Sequence, residues 1–273
     1  MNELVVGVDG SDQSAAALRW AAALASASQT DLRVVEAWTG GDPLAQDEIA
    51  EQVKAELAAY ASAALEGSSA DLHVDFEALH GTAAAALLKR LKGDSGLVLG
   101  SRGRGGFLGL LLGSVSRACI EHAPCPVMII RQLGPPALPG STILVGHDGS
   151  ASARSALEWA VDLAGPLKAR VVAAYAWRAG ASEVRPALHE RLKGDATSAI
   201  AGWAGQVGED VEPVEIEGEP RMELVKLAEQ RNAGLLVVGR RGGGEIRALR
   251  LGSVASYLVT NSPIPVAVTP PPD

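Results

Sequence analysis

Short apolar runs alternate with helical patterns along the chain. In the first half, the runs Leu4–Val8, Leu32–Ala37 and Leu97–Leu99 have the length and β-branched content of strands. Because these runs are almost continuously apolar, we expect parallel strands that are buried on both faces. A further strand is expected directly after Pro126, since proline is tolerated at the first residue of a strand.

Helical spacing of apolar residues separates these strands. One helix is predicted after Asp9, and others at Gln46–Leu65, at Thr82–Leu91 and from Ser114 to just before Pro124. The succession of strand, polar turn and helix is typical of βαβ units. Each half of the chain is therefore predicted to be a doubly wound sheet of five parallel strands in the α/β class.

The second half repeats the first. The string ValGlyValAspGlySer at Val6–Ser11 returns as ValGlyHisAspGlySer at Val145–Ser150, which places Asp9 and Asp148 139 positions apart. The same spacing relates further pairs: Trp20 and Trp159, Trp38 and Trp177, Gly100 and Gly239, Gly103 and Gly242, Gly113 and Gly252, Pro124 and Pro263. We predict two domains, residues 1–133 and 141–273, joined by a proline-rich linker at residues 134–140.

Composition narrows the classes of function. Hydrophobic residues make up 47% of the chain and charged residues 21%, which predicts a folded protein with an ample core. A net charge of −8 does not favour nucleic acid as a partner. No apolar run is long enough for a membrane span and no signal-peptide pattern is present, so we expect a cytoplasmic protein without membrane association. The cysteines, Cys119 and Cys125, are expected to be buried free thiols, with a disulfide or redox switch as the alternative.

Candidate ligand-binding residues lie where the predicted strands end. A ligand of an open parallel sheet binds beyond the carboxyl ends of the strands, and Asp9, Glu36, Ala37 and Gly100 are expected there. The glycine-rich stretch after Gly100 leads into the helix at Ser114, and such amides and a helix N-terminus attract phosphate. Because phosphates repel a carboxylate, Asp9 is expected to face hydroxyl groups or the base. The glycines match neither the P-loop nor the dinucleotide-binding fingerprint.

The spacing Gly100-x2-Gly103-x9-Gly113-Ser114 resembles the ATP-binding signature of the universal stress protein family. The second half has Gly239-x2-Gly242-x9-Gly252-Ser253. With the ValAspGlySer start, the paired tryptophans and the ProCysProVal ending, the resemblance spans nearly the whole chain. It implies two Rossmann-like domains of the adenine nucleotide alpha hydrolase-like type, with ATP as ligand and Mg²⁺ held by the phosphates.

The resemblance also implies roles for single residues. Asp9 and Gly100 would hold the ribose, and the backbone near Ala37 would contact adenine. Phosphates would be held by Gly103, Gly113, Ser114, Val115 and Ser116. The matching positions in the second half are Asp148, Ala176, Gly239, Gly242, Gly252, Ser253 and Val254.

Several substitutions distinguish the second half around this motif. Ser116 becomes Ala255, which removes a hydroxyl, and Gly106 becomes Glu245, which adds a carboxylate to the loop. Ser101 becomes Arg240, whose charge could compensate that of Glu245. Val8 becomes His147, for which a buried core histidine and a pH-sensitive group are the two hypotheses.

These features predict an ATP-binding stress sensor or regulator and not an enzyme. Bound nucleotide would order the loop from Gly103 to Gly113, which an unknown regulatory protein would then read. The resemblance implies that the halves pack as an intramolecular pseudo-dimer through their last strands, with a further homodimer left open. Three alternatives remain: a slow ATPase using Glu36 or Glu245, a nucleotide-free scaffold with loops blocked by side chains such as Phe107, and a cyclic AMP binder, for which Ala255 favours the second half.

Overall fold

The computed structural model describes residues 1–66, 72–104, 112–131, 133, 138, 140–178, 186–208, 210–243 and 250–272. It divides into two compact units, Met1–Pro136 (unit 1) and Ala137–Asp273 (unit 2). Of the predicted linker, only residues 138 and 140 are described. The domain limits 1–133 and 141–273 stay a prediction.

Strands and helices alternate throughout unit 1. Its five strands are parallel and lie in the order β3-β2-β1-β4-β5. The elements are β1 (Glu3–Val8), α1 (Asp12–Ser28), β2 (Asp31–Trp38), a 3₁₀ turn (Pro43–Ala45), α2 (Gln46–Ala64), β3 (Val74–His80), α3 (Ala83–Arg90), β4 (Ser95–Gly100), α4 (Ser114–His122) and β5 (Val127–Ile130).

Unit 2 repeats this architecture, with five parallel strands in the order β8-β7-β6-β9-β10. Its elements are β6 (Thr142–Gly146), α5 (Ala151–Leu167), β7 (Arg170–Trp177), α6 (Pro186–Val207), β8 (Val211–Glu217), α7 (Pro220–Gln230), β9 (Ala233–Gly239), α8 (Ser253–Asn261) and β10 (Val266–Thr269). The predicted α/β class with two doubly wound five-stranded domains in tandem is confirmed.

Fully buried strands form much of the core of unit 1. Every residue of β4 and β5 is buried, as expected for strands covered by helices on both faces. The edge strand β3 is only half-buried, and no apolar run predicted it because Asp75 and Glu77 interrupt its apolar residues. Strand order reverses between β1 and β4 in unit 1 and between β6 and β9 in unit 2, which opens a crevice at their carboxyl ends.

The thiols belong to this core. Cys119 and Cys125 are both buried and neither forms a disulfide, which confirms the first of the two hypotheses for them. Burial raises the pKa of the Cys119 thiol to about 12, so it is uncharged at neutral pH. Within the described part of the chain, no helix has the length and apolarity that a membrane crossing requires.

Candidate functional site

A cleft opens at the strand-order reversal of each unit. In unit 1 its volume is about 420 Å³, and it is lined by the residues to which the resemblance gave binding roles: Asp9, Ala37, Gly100, Gly103, Gly113, Ser114, Val115 and Ser116. In unit 2 its volume is about 880 Å³, and its lining includes Asp148, Ala176, Gly239, Gly242, Gly252, Ser253 and Val254. The structure thus brings both predicted sets together, and what they bind stays a prediction.

An aspartate at the end of the first strand is held in place in each cleft. In Asp9, Oδ1 accepts hydrogen bonds from the Ser11 amide (3.1 Å) and hydroxyl (2.6 Å), and Oδ2 accepts one from the Arg104 amide (2.8 Å). Burial favours a raised pKa for Asp9, but these hydrogen bonds outweigh it and lower the pKa. The result is a fixed, ionised carboxylate at the rim of the cleft.

Unit 2 reproduces this arrangement. Asp148 Oδ1 accepts a hydrogen bond from the Ser150 amide at 3.0 Å, and Oδ2 accepts one from the Gly243 amide at 2.9 Å. Gly243 lies 139 positions after Arg104, so the same loop amide serves both units. A sequence reading could not identify this contact because the donor is a backbone group, available to any residue except proline.

The signature glycines are required for different reasons. A Cβ on Gly103 would collide with Oδ2 of Asp9, so only glycine lets the loop approach that carboxylate. A Cβ on Gly100 would lie 2.9 Å from the carbonyl carbon and oxygen of Gln13, so this glycine permits close packing of β4 against α1. Gly113 has more room, since the nearest atom to its Cβ position, the Ser101 oxygen, is 3.5 Å away.

Gly113 instead determines how the next helix begins. It is the N-cap of α4 and offers no side-chain hydrogen bond to that helix, and Gly252 does the same for α8. By contrast, the hydroxyls of Ser11 and Ser150 accept amide hydrogen bonds at the starts of α1 and α5. The first amides of α4 and α8 therefore have no side-chain cap beside the cleft, which is the arrangement that binds phosphates at helix N-termini.

The hydroxyl of Ser116, a residue implied to hold phosphate, makes a hydrogen bond within the fold instead. Ser116 is buried, and its hydroxyl donates a hydrogen bond to the Gly100 carbonyl at 2.8 Å. Because that bond uses the single hydroxyl proton, the group left for a phosphate is the Ser116 amide. Replacement by Ala255 in unit 2 thus removes a bond within the fold and no ligand-facing donor.

The cleft also has an apolar wall that the sequence reading missed. In unit 1 this wall comes from Ala83 and Leu87 of α3, and in unit 2 from Pro220 and Leu224 of α7. The signal was the four-residue spacing of these apolar positions on a helix that follows a strand. Such a wall suits the flat, largely apolar face of a nucleobase.

Of the two acids considered for hydrolysis, Glu36 and Glu245, the structure describes only Glu36. Glu36 does not line the cleft, whereas its neighbours Val35 and Ala37 do, because successive side chains of a strand point to opposite faces. Burial raises the pKa of Glu36, opposed by the charge of Arg104 and assisted by repulsion from other acids. Residues 106, 107 and 245 lie outside the described residues. In the part that is described, no cluster of three or more His, Cys, Asp or Glu residues has the geometry of a metal site.

Comparison with known proteins gives matches along the whole chain. A sequence model of the universal stress protein family matches residues 1–131 and again residues 141–270. Universal stress protein Rv1996 of Mycobacterium tuberculosis is 31% identical over 303 residues, which cover 97% of this chain and 94% of that protein.

Solved structures match as well. A universal stress protein from Archaeoglobus fulgidus superposes with a TM-score of 0.68 over 99% of both chains at 22% identity. A universal stress protein solved in complex with cAMP covers 49% of this chain and 99% of its own, at 28% identity and a TM-score of 0.38.

Proposed function

This chain belongs to the universal stress protein family, and from that membership and its two clefts we propose that each unit binds one adenine nucleotide, ATP, to regulate a protein partner. The observation that carries the proposal is common to both clefts. An aspartate, held by a loop amide, lines the same cleft as the start of a helix whose first amides have no side-chain cap.

The two ends of the cleft suit the two ends of a nucleotide. Asp9 and Asp148 retain lone pairs that accept hydrogen bonds from ribose hydroxyls. Phosphates are repelled by these carboxylates and attracted by the amides of Ser114 and Ser253, and by Arg102 or Arg241 at the cleft wall. Mg²⁺ would be held by the phosphates, since the described residues offer no acidic cluster for it.

Regulation is favoured over hydrolysis by the placement of acids. Asp9 and Asp148 are the carboxylates that line the described parts of the clefts, and both already accept hydrogen bonds from loop amides. Glu36 lies on the other face of its sheet. We propose that bound ATP orders the loop between Gly103 and Gly113, and that a cytoplasmic partner binds the ordered surface.

The proposal is tested by denaturing freshly purified protein and measuring the released adenine nucleotides by chromatography. A glutamate in place of Gly103 or Gly242 would collide with the neighbouring aspartate and repel phosphates. We expect two nucleotides per chain in the wild type, loss of one in Gly103→Glu and in Gly242→Glu, and none in the double variant. Titration with ATP, AMP and cyclic AMP then identifies the preferred ligand.

A matched pair of conservative variants controls for general damage to the loop. Gly242→Ala adds a Cβ that collides with Asp148, whereas Gly243→Ala adds one that has none of the described atoms within 4 Å and keeps the amide. Only the first is expected to release nucleotide from unit 2. Absence of nucleotide in the wild type, together with no binding on titration, would refute the proposal and favour the scaffold alternative.

A further inference from the structure

The Asp-Gly-Ser turn has its glycine covered by a side chain in both units, but the two covers come from different elements. Gly10 and Gly149 have φ angles of +74° and +83°, which favour glycine. The guanidinium of Arg104 lies directly against Gly10, whereas the ring of Trp203, on α6, lies against Gly149. The glycine of the turn is thus covered in unit 1 by Arg104, from the loop that follows β4, and in unit 2 by Trp203, from helix α6.

Arg104 is attached to the turn at two points. Its amide donates to Asp9 Oδ2 at 2.8 Å, and its guanidinium reaches over Gly10 toward Glu36, a half-buried acid whose charge it attracts. Gly243, its counterpart in unit 2, makes the amide contact with Asp148 alone.

Unit 2 supports its turn with aromatic packing. Trp203 stacks on His147 with ring centroids 4.7 Å apart, and its edge meets Tyr175 at 5.2 Å. His147 Nδ1 in turn accepts a hydrogen bond from the Gly149 amide at 3.1 Å. Tyr175 belongs to β7 and Trp203 to α6, and His147 directly follows β6, so none of the three connects the turn to the loop that follows β9.

We propose that Arg104 is a positioning residue of the unit 1 site, which locks residues 101–104, directly after β4, onto the Asp9 turn, and that the described residues of unit 2 offer no counterpart to this lock. The inference rests on the proposed nucleotide binding. The guanidinium is directed to the turn that presents Asp9, so the lock acts on the nucleoside end of the ligand. Removing the lock therefore lowers the affinity for ATP and for AMP to the same extent. Removing an arginine that contacts phosphates would instead lower the affinity for ATP more than that for AMP.

The test uses the full chain with unit 2 blocked by Gly242→Glu. In this background Arg104→Gly introduces the residue of unit 2 and keeps the amide that contacts Asp9. We expect the dissociation constants of ATP and AMP to rise together by about tenfold, the effect of one charge-assisted contact. Arg104→Lys keeps the charge beside Glu36 but not the planar cover, so it restores affinity only in part.

Three results would overturn the lock. One is unchanged affinity in Arg104→Gly, and a second is a loss for ATP more than about threefold greater than for AMP, which is the sign of a phosphate contact. The third is a loss of affinity that parallels a fall in the melting temperature of the ligand-free protein, because Arg104 would then act only on folding. If the Gly242→Glu chain with Arg104 intact binds neither nucleotide, the proposed function of unit 1 fails and not the lock.

Discussion

Replacing Arg90 with leucine removes the centre of an ion-pair network in unit 1. Arg90 Nη2 lies 2.7 Å from Glu3 Oε1, and its Nε lies 2.8 Å from Glu77 Oε2. Arg33 contacts the same Glu3 oxygen at 2.7 Å and Asp75 at 3.0 Å. The network joins β1, β2, β3 and α3, so its loss is expected to destabilise unit 1 as a whole.

The magnitude follows from the exposure of the three side chains that separate. Arg90, Glu3 and Glu77 are 20%, 22% and 29% exposed, between a surface pair and a buried one. Surface pairs contribute about 0.2–1 kcal/mol, and breaking a buried pair costs about 3–5 kcal/mol. We therefore expect Arg90→Leu to lower the free energy of unfolding of unit 1 by about 2 kcal/mol.

Unit 2 indicates that leucine itself fits at this place in the fold. Its sheet has Val172 where unit 1 has Arg33, and Val214 where unit 1 has Glu77. Leu227, three residues after the Leu224 that matches Leu87, is buried at the position of Arg90. The expected cost in unit 1 thus comes from the loss of the close contacts of Arg90 with Glu3 and Glu77, which leaves both acids with Arg33 as their remaining partner, and not from steric conflict.

Hydrogen exchange read by mass spectrometry resolves the two units in the intact chain. A loss of about 2 kcal/mol accelerates exchange of the slowest amides of unit 1 about thirtyfold and leaves those of unit 2 unchanged. Burial would raise the pKa of Glu3, but its bonds to Arg90 and Arg33 lower it below 4.5. Its stabilising effect is present above 4.5 and lost as pH falls through the lowered value, so the variant and wild type converge in acid.

Arg231→Leu is the matched control in unit 2. It breaks a 2.8 Å pair with Glu212 whose side chains are 36% and 46% exposed, for which we expect about 0.5 kcal/mol. If Arg90→Leu accelerates exchange in unit 1 by less than about threefold, or accelerates both units equally, Arg90 does not stabilise unit 1 through this network.

Three further predictions concern buried groups and strained backbone. Burial lowers the pKa of His147 from 6.5. The stability that comes from its neutral ring is therefore present above pH 6.5 and lost as pH falls through the lowered pKa. In denaturant unfolding, the stability of His147→Val should depend less on pH over this range. Burial raises the pKa of Cys119 from 9.0 to about 12. The stability that comes from its uncharged thiol is therefore fully present below pH 9.0 and lost as pH rises. In the same assay, Cys119→Ala should lose less stability at alkaline pH. Gly10→Ala imposes a φ of +74° on alanine and displaces the flexible guanidinium of Arg104, and should cost about 2 kcal/mol in thermal unfolding. The control Gly140→Ala has a φ of +73° and, among the described residues, no atom within 4 Å of its Cβ position, and should cost about 1 kcal/mol.

Local patterns in the sequence were sufficient for the fold class and for part of the lining of the cleft. Apolar runs and helical spacing recur along the chain, and parallel strands must end at one edge of a sheet, so Asp9 and Gly100 could be brought together without coordinates. The repeat carried the same reasoning to Asp148 and Gly239. Strand β3 was the exception, because an edge strand needs no continuous apolar run.

Only the tertiary structure decided which atoms of those residues meet. The proton of the Ser116 hydroxyl is used by Gly100, Glu36 points away from the cleft, and the partner of Asp9 is a backbone amide 95 positions later. The Arg90 network likewise joins residues from four separate elements. Periodicity records which face of an element is buried, whereas these contacts depend on strand register, loop course and side-chain rotamers, which no local pattern encodes.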